Sequence, residues 1–148
     1  MKKTLNGLKI TYRFSKGQNP ADTILLLHGW GGNLNSFRYL EKQLLQNDFS
    51  VLTIDFPAFG GSEQPPETFT LHDYYKIVSE LLASENIGKV NVVAHSFGGR
   101  VAIMLASLEP HKVNKVVLVD SAGIKPRFSL SKKIKILFKK SKYLYSNI

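Results

Sequence analysis

Four short apolar runs constrain the fold of this 148-residue chain more than any other feature of its sequence. The runs read TILLLHGW, FSVLTIDF, KVNVVAH and VNKVVLVD, and continuous apolar runs of this kind are typical of buried strands. The stretches between them, residues 37–46, 71–84 and 98–108, are predicted as helices. Buried strands that alternate with helices predict an α/β fold with three layers and a mostly parallel sheet.

An antiparallel hairpin is predicted at the start of the chain. Asn6-Gly7, a strong signal for a two-residue turn, separates MKKTL from LKITYRFS. In the second segment apolar residues alternate with polar ones, as expected for a half-exposed strand. Residues 16–20 are predicted as the turn that follows. The hairpin makes the predicted sheet mixed.

The charge of the chain is concentrated in its last segment. Residues 1–124 carry 12 Lys/Arg and 11 Asp/Glu, whereas residues 125–148 carry 8 Lys/Arg and no acid. The net charge of +9 therefore says little about what the main body binds. The chain has no cysteine, which excludes disulfides and a thiol nucleophile. The start of the chain, MKKTLNGLKI, lacks a long apolar stretch, so we expect no signal peptide and a cytoplasmic protein.

The third apolar run ends in a corner that contains a serine. AHSFGG has the pattern small-x-Ser-x-Gly between a predicted strand and a predicted helix, which is typical of a nucleophile elbow. Such a turn strains the serine backbone and needs small residues on both sides, here Ala94 and Gly98. It also directs the N–H of Phe97 towards an attacked carbonyl. A plain helix N-cap is the alternative for Ser96; the context favours the elbow.

A second glycine-rich loop, HGWGG, follows the first apolar run. An oxyanion hole needs another backbone N–H near the serine. Gly29 and Gly31 allow the chain to bend so that the N–H of Trp30 faces the same site. We therefore expect the oxyanion hole to combine the amides of Trp30 and Phe97.

None of the four histidines is expected to act as the base for Ser96. His28 directly follows an apolar strand and precedes glycine, so we expect it to brace the loop. His95 precedes the serine on a tight turn and is expected to point away from it. His72 begins a surface helix, and His111 lies at the end of another helix.

Three motifs in this order, HGWGG, DFPAFGGS and AHSFGG, resemble those of the α/β-hydrolase superfamily, and VVLVDSAG continues the pattern. The resemblance extends from the hairpin to about Gly123. It implies that Ser96 is the nucleophile and that Trp30 and Phe97 supply the oxyanion hole. Serine at this corner is unlike the branches that carry aspartate there, such as epoxide hydrolases and haloalkane dehalogenases. The supporting residues of these loops are His28, Gly29, Gly31, His95 and Gly98.

The motif DFPAFGGS supplies a residue that we interpret as structural. In the family that it resembles, this loop lies beneath the site and is ordered through Gly60, Gly61 and Ser62. Asp55 is therefore expected to hold a turn and not to serve as the triad acid. No metal or organic cofactor is expected, because no acid and histidine cluster has ligand spacing and serine acyl transfer needs none.

The triad acid and histidine are not evident in the sequence. In this superfamily the chain order is nucleophile, acid, histidine. After Ser96 the sequence offers only Glu109 and Asp120 as acids and His111 as a histidine. Asp120 ends a strand, where some members place the acid, but its loop favours an ordering role. We expect a hydrolase truncated before both groups, with VVLV left as an exposed apolar sheet edge.

Residues 125–148 are predicted as a basic amphipathic helix that begins a cap region, beside a hydrolase core over residues 1–124. One face of this helix would carry Leu130, Ile134, Leu137, Ser141, Leu144 and Ile148. A cationic helix of this kind is also compatible with weak binding to an anionic membrane or an acidic partner. Nucleic-acid binding is not expected, since no binding motif accompanies the lysines.

The sequence therefore supports two functional hypotheses. The first is a serine hydrolase that acts on a small carboxylic ester or a related acyl substrate. The alternative is an inactive fragment that binds another chain through its open sheet edge and basic helix. That partner would be a complementing C-terminal half or a second copy of the chain. Neither hypothesis identifies the substrate.

Overall fold

Six strands and three α-helices form residues 1–124, the part of the chain that the computed structural model describes, apart from the side chains of residues 19–22. The strands are β1 (Lys2–Leu5), β2 (Leu8–Ser15), β3 (Asn19–Leu27), β4 (Phe49–Ile54), β5 (Val90–His95) and β6 (Val113–Val119). The helices are α1 (Arg38–Gln46), α2 (Leu71–Ser84) and α3 (Phe97–Leu108), with short 3-10 turns at Leu34–Phe37 and Pro110–Lys112. The helix predicted for residues 125–148 lies outside the described residues.

The strands make one mixed sheet in the order β1-β2-β4-β3-β5-β6. The hairpin strands β1 and β2 are antiparallel, and β2 also runs antiparallel to β4. The other four strands are parallel. Asn6 and Gly7 both have positive φ, 45° and 79°, as a two-residue hairpin turn of this type requires. The predicted fold class and the predicted hairpin are confirmed.

One predicted boundary is wrong. Residues 16–20 were expected to form a turn, but β3 already begins at Asn19, which pairs with Phe49 of β4. The register then shifts between Asn19 and Thr23. Pro20 has no N–H for regular strand pairing, and proline is tolerated where pairing is irregular.

Helices cover the sheet on both faces and so form three layers. Leu25 and Leu27 of β3 lie in a core that includes residues of α2 and α3. Ile24 and Leu26, which alternate with them, lie in a smaller core packed against α1. The capping box at Thr70, whose N–H donates to Asp73 Oδ2 at 2.8 Å, fixes where α2 begins.

The parallel strands bring four loops to one edge of the sheet. The carboxyl ends of β3, β4, β5 and β6 are followed by HGWGG, DFPAFGGS, SFGG and DSAG. Among the described residues, β6 is the last strand of the sheet and pairs only with β5, opposite the hairpin strand β1. On this edge strand Val117 is 54% exposed and Val119 is 45% exposed. No helix within residues 1–124 is both long enough and apolar enough to cross a membrane.

Candidate active site

Ser96 lies on a strained corner between β5 and α3. Its φ of 48° and ψ of −112° fall in a region that residues with a side chain rarely adopt. A serine that caps a helix has an extended backbone and accepts a hydrogen bond, whereas Ser96 makes no capping bond. The geometry therefore has the form of an elbow that projects the side chain, and the N-cap alternative is not supported.

The backbone of the corner is fixed by its neighbour β6. The N–H of Ser96 donates to the carbonyl of Val119 at 3.1 Å. The carbonyl of Ser96 accepts from the N–H groups of Gly99 and Ala122, both at 3.1 Å. The end of β6 and the segment that follows it thus hold Ser96 through its N–H and its carbonyl group.

Two glycines let the corner approach other chain segments. A Cβ at Gly98 would lie 2.6 Å from the carbonyl oxygen of His28 and still closer to that of Leu27. A Cβ at Gly99 would collide with the hydroxyl of Ser121. The small residue predicted at Gly98 is therefore required by contact with the end of β3.

The HGWGG loop passes directly beside Ser96. A Cβ at Gly29 would lie 3.2 Å from the Ser96 Cβ and 2.7 Å from Nδ1 of His95. Gly31 has a φ of 77°, and the N–H of Gly32 donates to the Gly29 carbonyl at 3.0 Å, which closes a turn around position 30. The structure therefore brings the two predicted glycine-rich loops together.

The two amides expected to form an oxyanion hole have no internal partner. Within residues 1–124 the N–H groups of Trp30 and Phe97 donate to no backbone or side-chain acceptor. The N–H of Phe97 also begins α3, where the first amides of a helix are unpaired. Both groups are thus available to an anionic oxygen.

His28 links the HGWGG loop to the end of β4. Its side chain is buried, its Nε2 accepts from the N–H of Phe56 at 3.0 Å, and its Nδ1 lies 2.7 Å from the Gly29 carbonyl. The neutral tautomer with a proton on Nδ1 satisfies both contacts. Burial lowers the pKa of His28, although the bond to Gly29 opposes this. His28 therefore has no free nitrogen for the Ser96 proton.

Asp55 orders the loops beneath the site. The carboxylate is buried; it accepts from the N–H of Leu34 at 2.5 Å and from that of Gly61 at 2.8 Å. The Ser62 hydroxyl donates to the Asp55 carbonyl at 2.7 Å. The bond to Leu34 joins the DFPAFGGS loop to the segment before α1, a contact that the sequence pattern did not reveal.

Within residues 1–124, none of the four histidines makes a hydrogen bond to the hydroxyl of Ser96. His95 is exposed, with its ring against Gly29. The His72 ring lies against Tyr75 on α2, with the ring centroids 5.3 Å apart. His111 precedes β6, whose pairing with β5 places Val113 at the opposite edge of the sheet from Ser96. That separation is about 20 Å at the usual rise of a strand.

Asp120 lies at the same sheet edge as Ser96 but is not joined to a histidine. It follows β6 with a φ of 44° and is exposed. Its carboxylate makes no hydrogen bond or ion pair within the described residues. No assembled triad is therefore present in residues 1–124. In the same part of the chain, no group of three or more His, Asp or Glu side chains is arranged to hold a metal ion.

Sequence reasoning missed a cluster of aromatic rings around the corner. The Trp30 ring makes edge contacts with Phe59 and Phe97, at centroid distances of 4.9 Å and 5.3 Å. Phe56 and Tyr74 in turn contact the Phe97 ring, at 5.7 Å and 5.0 Å. The only available signal was that the motifs HGWGG, DFPAFGGS and AHSFGG contain one, two and one aromatic residues; Tyr74 lies outside all three.

Comparison with known proteins agrees with this geometry. Residues 22–147 match the family model described as alpha/beta hydrolase fold. The chain belongs to the α/β-hydrolase fold family. The resemblance inferred from the three motifs is therefore confirmed.

The chain is similar to two curated proteins of Danio rerio. A serine hydrolase-like protein is 35% identical over 112 residues, which cover 74% of this chain and 34% of that protein. The sn-1-specific diacylglycerol lipase ABHD11 is 32% identical over 119 residues, which cover 80% of this chain and 37% of that protein. The chain thus spans about a third of the length of the curated relatives it matches.

Solved α/β-hydrolase structures superpose on most of the chain. The enol-lactonase from Burkholderia xenovorans LB400 superposes with a TM-score of 0.78 at 25% identity. The matched part covers 82% of this chain and 47% of the enol-lactonase chain. A membrane phospholipase A, a bacterial virulence factor, has a TM-score of 0.80 at 24% identity, covering 87% of this chain and 41% of its own. The latter similarity shows the fold alone.

Proposed function

We propose that this chain belongs to a serine hydrolase in which Ser96 attacks the carbonyl of a small carboxylic ester or a related acyl compound. The observation that carries the proposal is the strained φ of 48° at Ser96, with the HGWGG loop in contact at Gly29. Strain of this kind persists where the surrounding structure enforces it, as at functional sites. The similarity to a serine hydrolase-like protein supports the same chemistry.

The proposed reaction has two steps. The Ser96 oxygen forms a bond to the carbonyl carbon, and the alcohol leaves with a proton as the ester bond breaks. Water then attacks the acyl-serine, which releases the carboxylic acid and restores the hydroxyl. In both steps the N–H groups of Trp30 and Phe97 would donate to the oxygen that becomes negative.

The general base remains to be supplied. Of the described side chains, His28 is occupied at both nitrogens and His111 lies at the opposite sheet edge. We propose that the histidine comes from outside these 148 residues, as part of a longer chain or from a complementing chain. Asp120, exposed at the correct edge, is the acid that the described residues offer to such a histidine.

The proposal is tested with a fluorophosphonate probe on the chain and on its Ser96→Ala variant. Because the histidine is proposed to come from outside these residues, labelling of the parent chain is expected to be slow, at a rate that the oxyanion hole alone supports. Labelling is expected to be lost in the variant, because the probe needs this oxygen. Ser15→Ala, on β2, is the matched control and should label like the parent. Equal labelling of the parent and Ser96→Ala chains, including no labelling of either, would contradict hydrolase activity in this chain.

A binding role is the second candidate, favoured by the exposed edge strand. Val117 and Val119 of β6 are about half exposed, and open apolar edges are sites of strand addition. The proposed partner is a complementing hydrolase half or a second copy, and the basic segment 125–148 would strengthen binding to an acidic surface. Light scattering of the purified chain tests this: association should be lost in Val117→Lys and kept in Tyr39→Lys, on α1. A monodisperse parent monomer would exclude self-association.

A further inference from the structure

An exposed indole lies beside the proposed nucleophile. Trp30 is 69% exposed, although it belongs to the loop whose neighbouring Gly29 contacts Ser96. A single exposed apolar residue is ordinary on a protein surface. Trp30 differs because it lies at the carboxyl edge of the sheet, next to Ser96, the one hydroxyl residue within residues 1–124 that has a positive φ.

The indole is held in place by two other rings. Trp30 meets Phe59 at an interplanar angle of 75° and Phe97 at 83°, both edge contacts. We call Trp30, Phe59 and Phe97 the aromatic wall. Phe97 immediately follows Ser96, and its ring is packed from behind by Phe56. Edge-to-face contacts of this kind fix ring orientation, so the wall offers a preformed apolar surface.

The wall carries no charged group of its own. Its three members are apolar or aromatic, and the ionisable ring that contacts Phe59, His28, is buried, which lowers its pKa and favours the neutral form. A preformed apolar surface beside two free N–H groups matches a ligand with an apolar group attached to a polar carbonyl. A small acetyl group would leave most of the indole uncovered.

We infer that the aromatic wall binds the apolar substituent of the substrate carbonyl and that aryl-sized substituents are preferred over methyl. This inference rests on the proposed function, since it assigns a subsite to the substrate that Ser96 attacks. Contact between aromatic rings adds affinity beyond that from burial of area. The preference for phenyl over methyl is therefore expected to be about 10-fold.

Trp30 is the only tryptophan of the chain, so its fluorescence reports directly on the wall. The probes are phenylboronic acid and methylboronic acid, in which boron replaces the carbonyl carbon. Boron forms a bond to the Ser96 oxygen, and the hydroxyl proton passes to solvent. Phenylboronic acid is expected to shift the Trp30 emission and to bind about 10-fold more tightly than methylboronic acid.

Two variants separate this inference from the proposed function. In Ser96→Ala the affinity for both probes should drop, while phenylboronic acid still shifts the Trp30 emission. In Trp30→Ala, followed by calorimetry, the phenyl-to-methyl ratio should fall to within about 2-fold, because the backbone N–H remains and only the ring is lost. Tyr39→Ala, which removes an equally exposed ring on α1, should keep the parent ratio.

Each outcome has one meaning. If Ser96→Ala binds both probes like the parent while the phenyl preference persists, the role of Ser96 as nucleophile is contradicted and the subsite at the aromatic wall is supported. If the parent binds both probes equally, or binds neither, the inferred subsite is wrong. The same holds if Trp30→Ala keeps the full phenyl preference.

Discussion

The edge of the sheet at the amino ends of the parallel strands and the edge at their carboxyl ends place different residue types at positions with positive φ. At the amino edge the left-handed residues are Asp48 and Asn86, with φ of 63° and 56°, which follow α1 and α2. Asp and Asn tolerate this conformation well. At the carboxyl edge Asp120 has a φ of 44°, but Ala58 and Ser96, with φ of 71° and 48°, are residue types that rarely adopt this conformation. Within residues 1–124, positive φ at residue types that rarely adopt it is therefore found only at the edge that carries the candidate site.

The contacts that hold the two edges also differ. Beside the amino end of β6, Glu109 forms an ion pair with Lys112 and accepts from the Tyr75 hydroxyl at 2.6 Å. At the carboxyl edge, Ser96 is held by main-chain hydrogen bonds: its N–H donates to the carbonyl of Val119, and its carbonyl accepts from the N–H of Ala122. Long side chains can adjust to a change, whereas backbones in contact cannot. Substitution should therefore be tolerated less at the backbone contacts of Ser96 than at the side-chain contacts of Glu109.

The largest expected effect compares two glycines on either side of β5. Gly98→Ala should destabilise the fold by about 3 kcal/mol, because the added Cβ meets the carbonyl oxygens of Leu27 and His28. Gly88→Ala, which precedes β5 and has no atom within 4 Å of the new Cβ, should change stability by less than about 0.5 kcal/mol. Urea denaturation of both variants measures this. Equal losses would show that the corner after β5 is no more closely packed than the segment before it.

A smaller effect is expected when the strain at Ser96 is removed. Ser96→Gly should stabilise the fold by about 1 kcal/mol, since relief of a strained φ outweighs the added freedom of the unfolded chain. Asn86→Gly, at an equally left-handed position of the amino edge, should change stability by less than about 0.5 kcal/mol. Thermal unfolding measures both. A Ser96→Gly variant less stable than the parent would mean that the serine is not strained.

Local patterns predicted the elements and the corner, because each depends on neighbouring residues. The apolar runs gave the strands, and the spacing around Ser96 gave the elbow that the structure contains. The contacts that complete the edge join residues far apart in sequence. Nothing near Trp30 indicates that its ring meets Phe97, and nothing near Ser96 indicates that Ala122 bonds to it.

The boundary missed at Asn19 has the same origin. Its strand pairing depends on Phe49 of β4, thirty residues along the chain, while the local sequence around Pro20 is typical of a turn. The general base could not be predicted for a different reason: within residues 1–124 no histidine is hydrogen-bonded to the Ser96 hydroxyl. Local patterns thus predicted where the hydroxyl lies but not how it is activated.

Acid should weaken the two edges at different pH values. Burial lowers the pKa of His28 below its usual 6.5. Just below pH 6.5 the imidazole of His28 is therefore protonated in the unfolded chain but not in the folded chain. Stability at the carboxyl edge should therefore begin to fall as the pH drops below about 6.5. Partial burial raises the pKa of Glu109, but hydrogen bonds from Lys112, Ser79 and Tyr75 outweigh it and lower the pKa from 4.5 to about 2.

The stabilisation from Glu109 is complete above pH 4.5 and is lost as the pH falls from there towards 2, because only the unfolded carboxylate is protonated in that range. For an ion pair near the surface the loss is expected to be about 1 kcal/mol. Glu109→Gln should remove this second decline and leave the first, measured as the urea midpoint between pH 7 and pH 2.5. If the urea midpoint of the parent chain stays constant from pH 7 down to pH 5, the conclusion that His28 is buried in its neutral form would be contradicted. An unchanged decline in the Gln variant would assign the low-pH loss to another carboxylate.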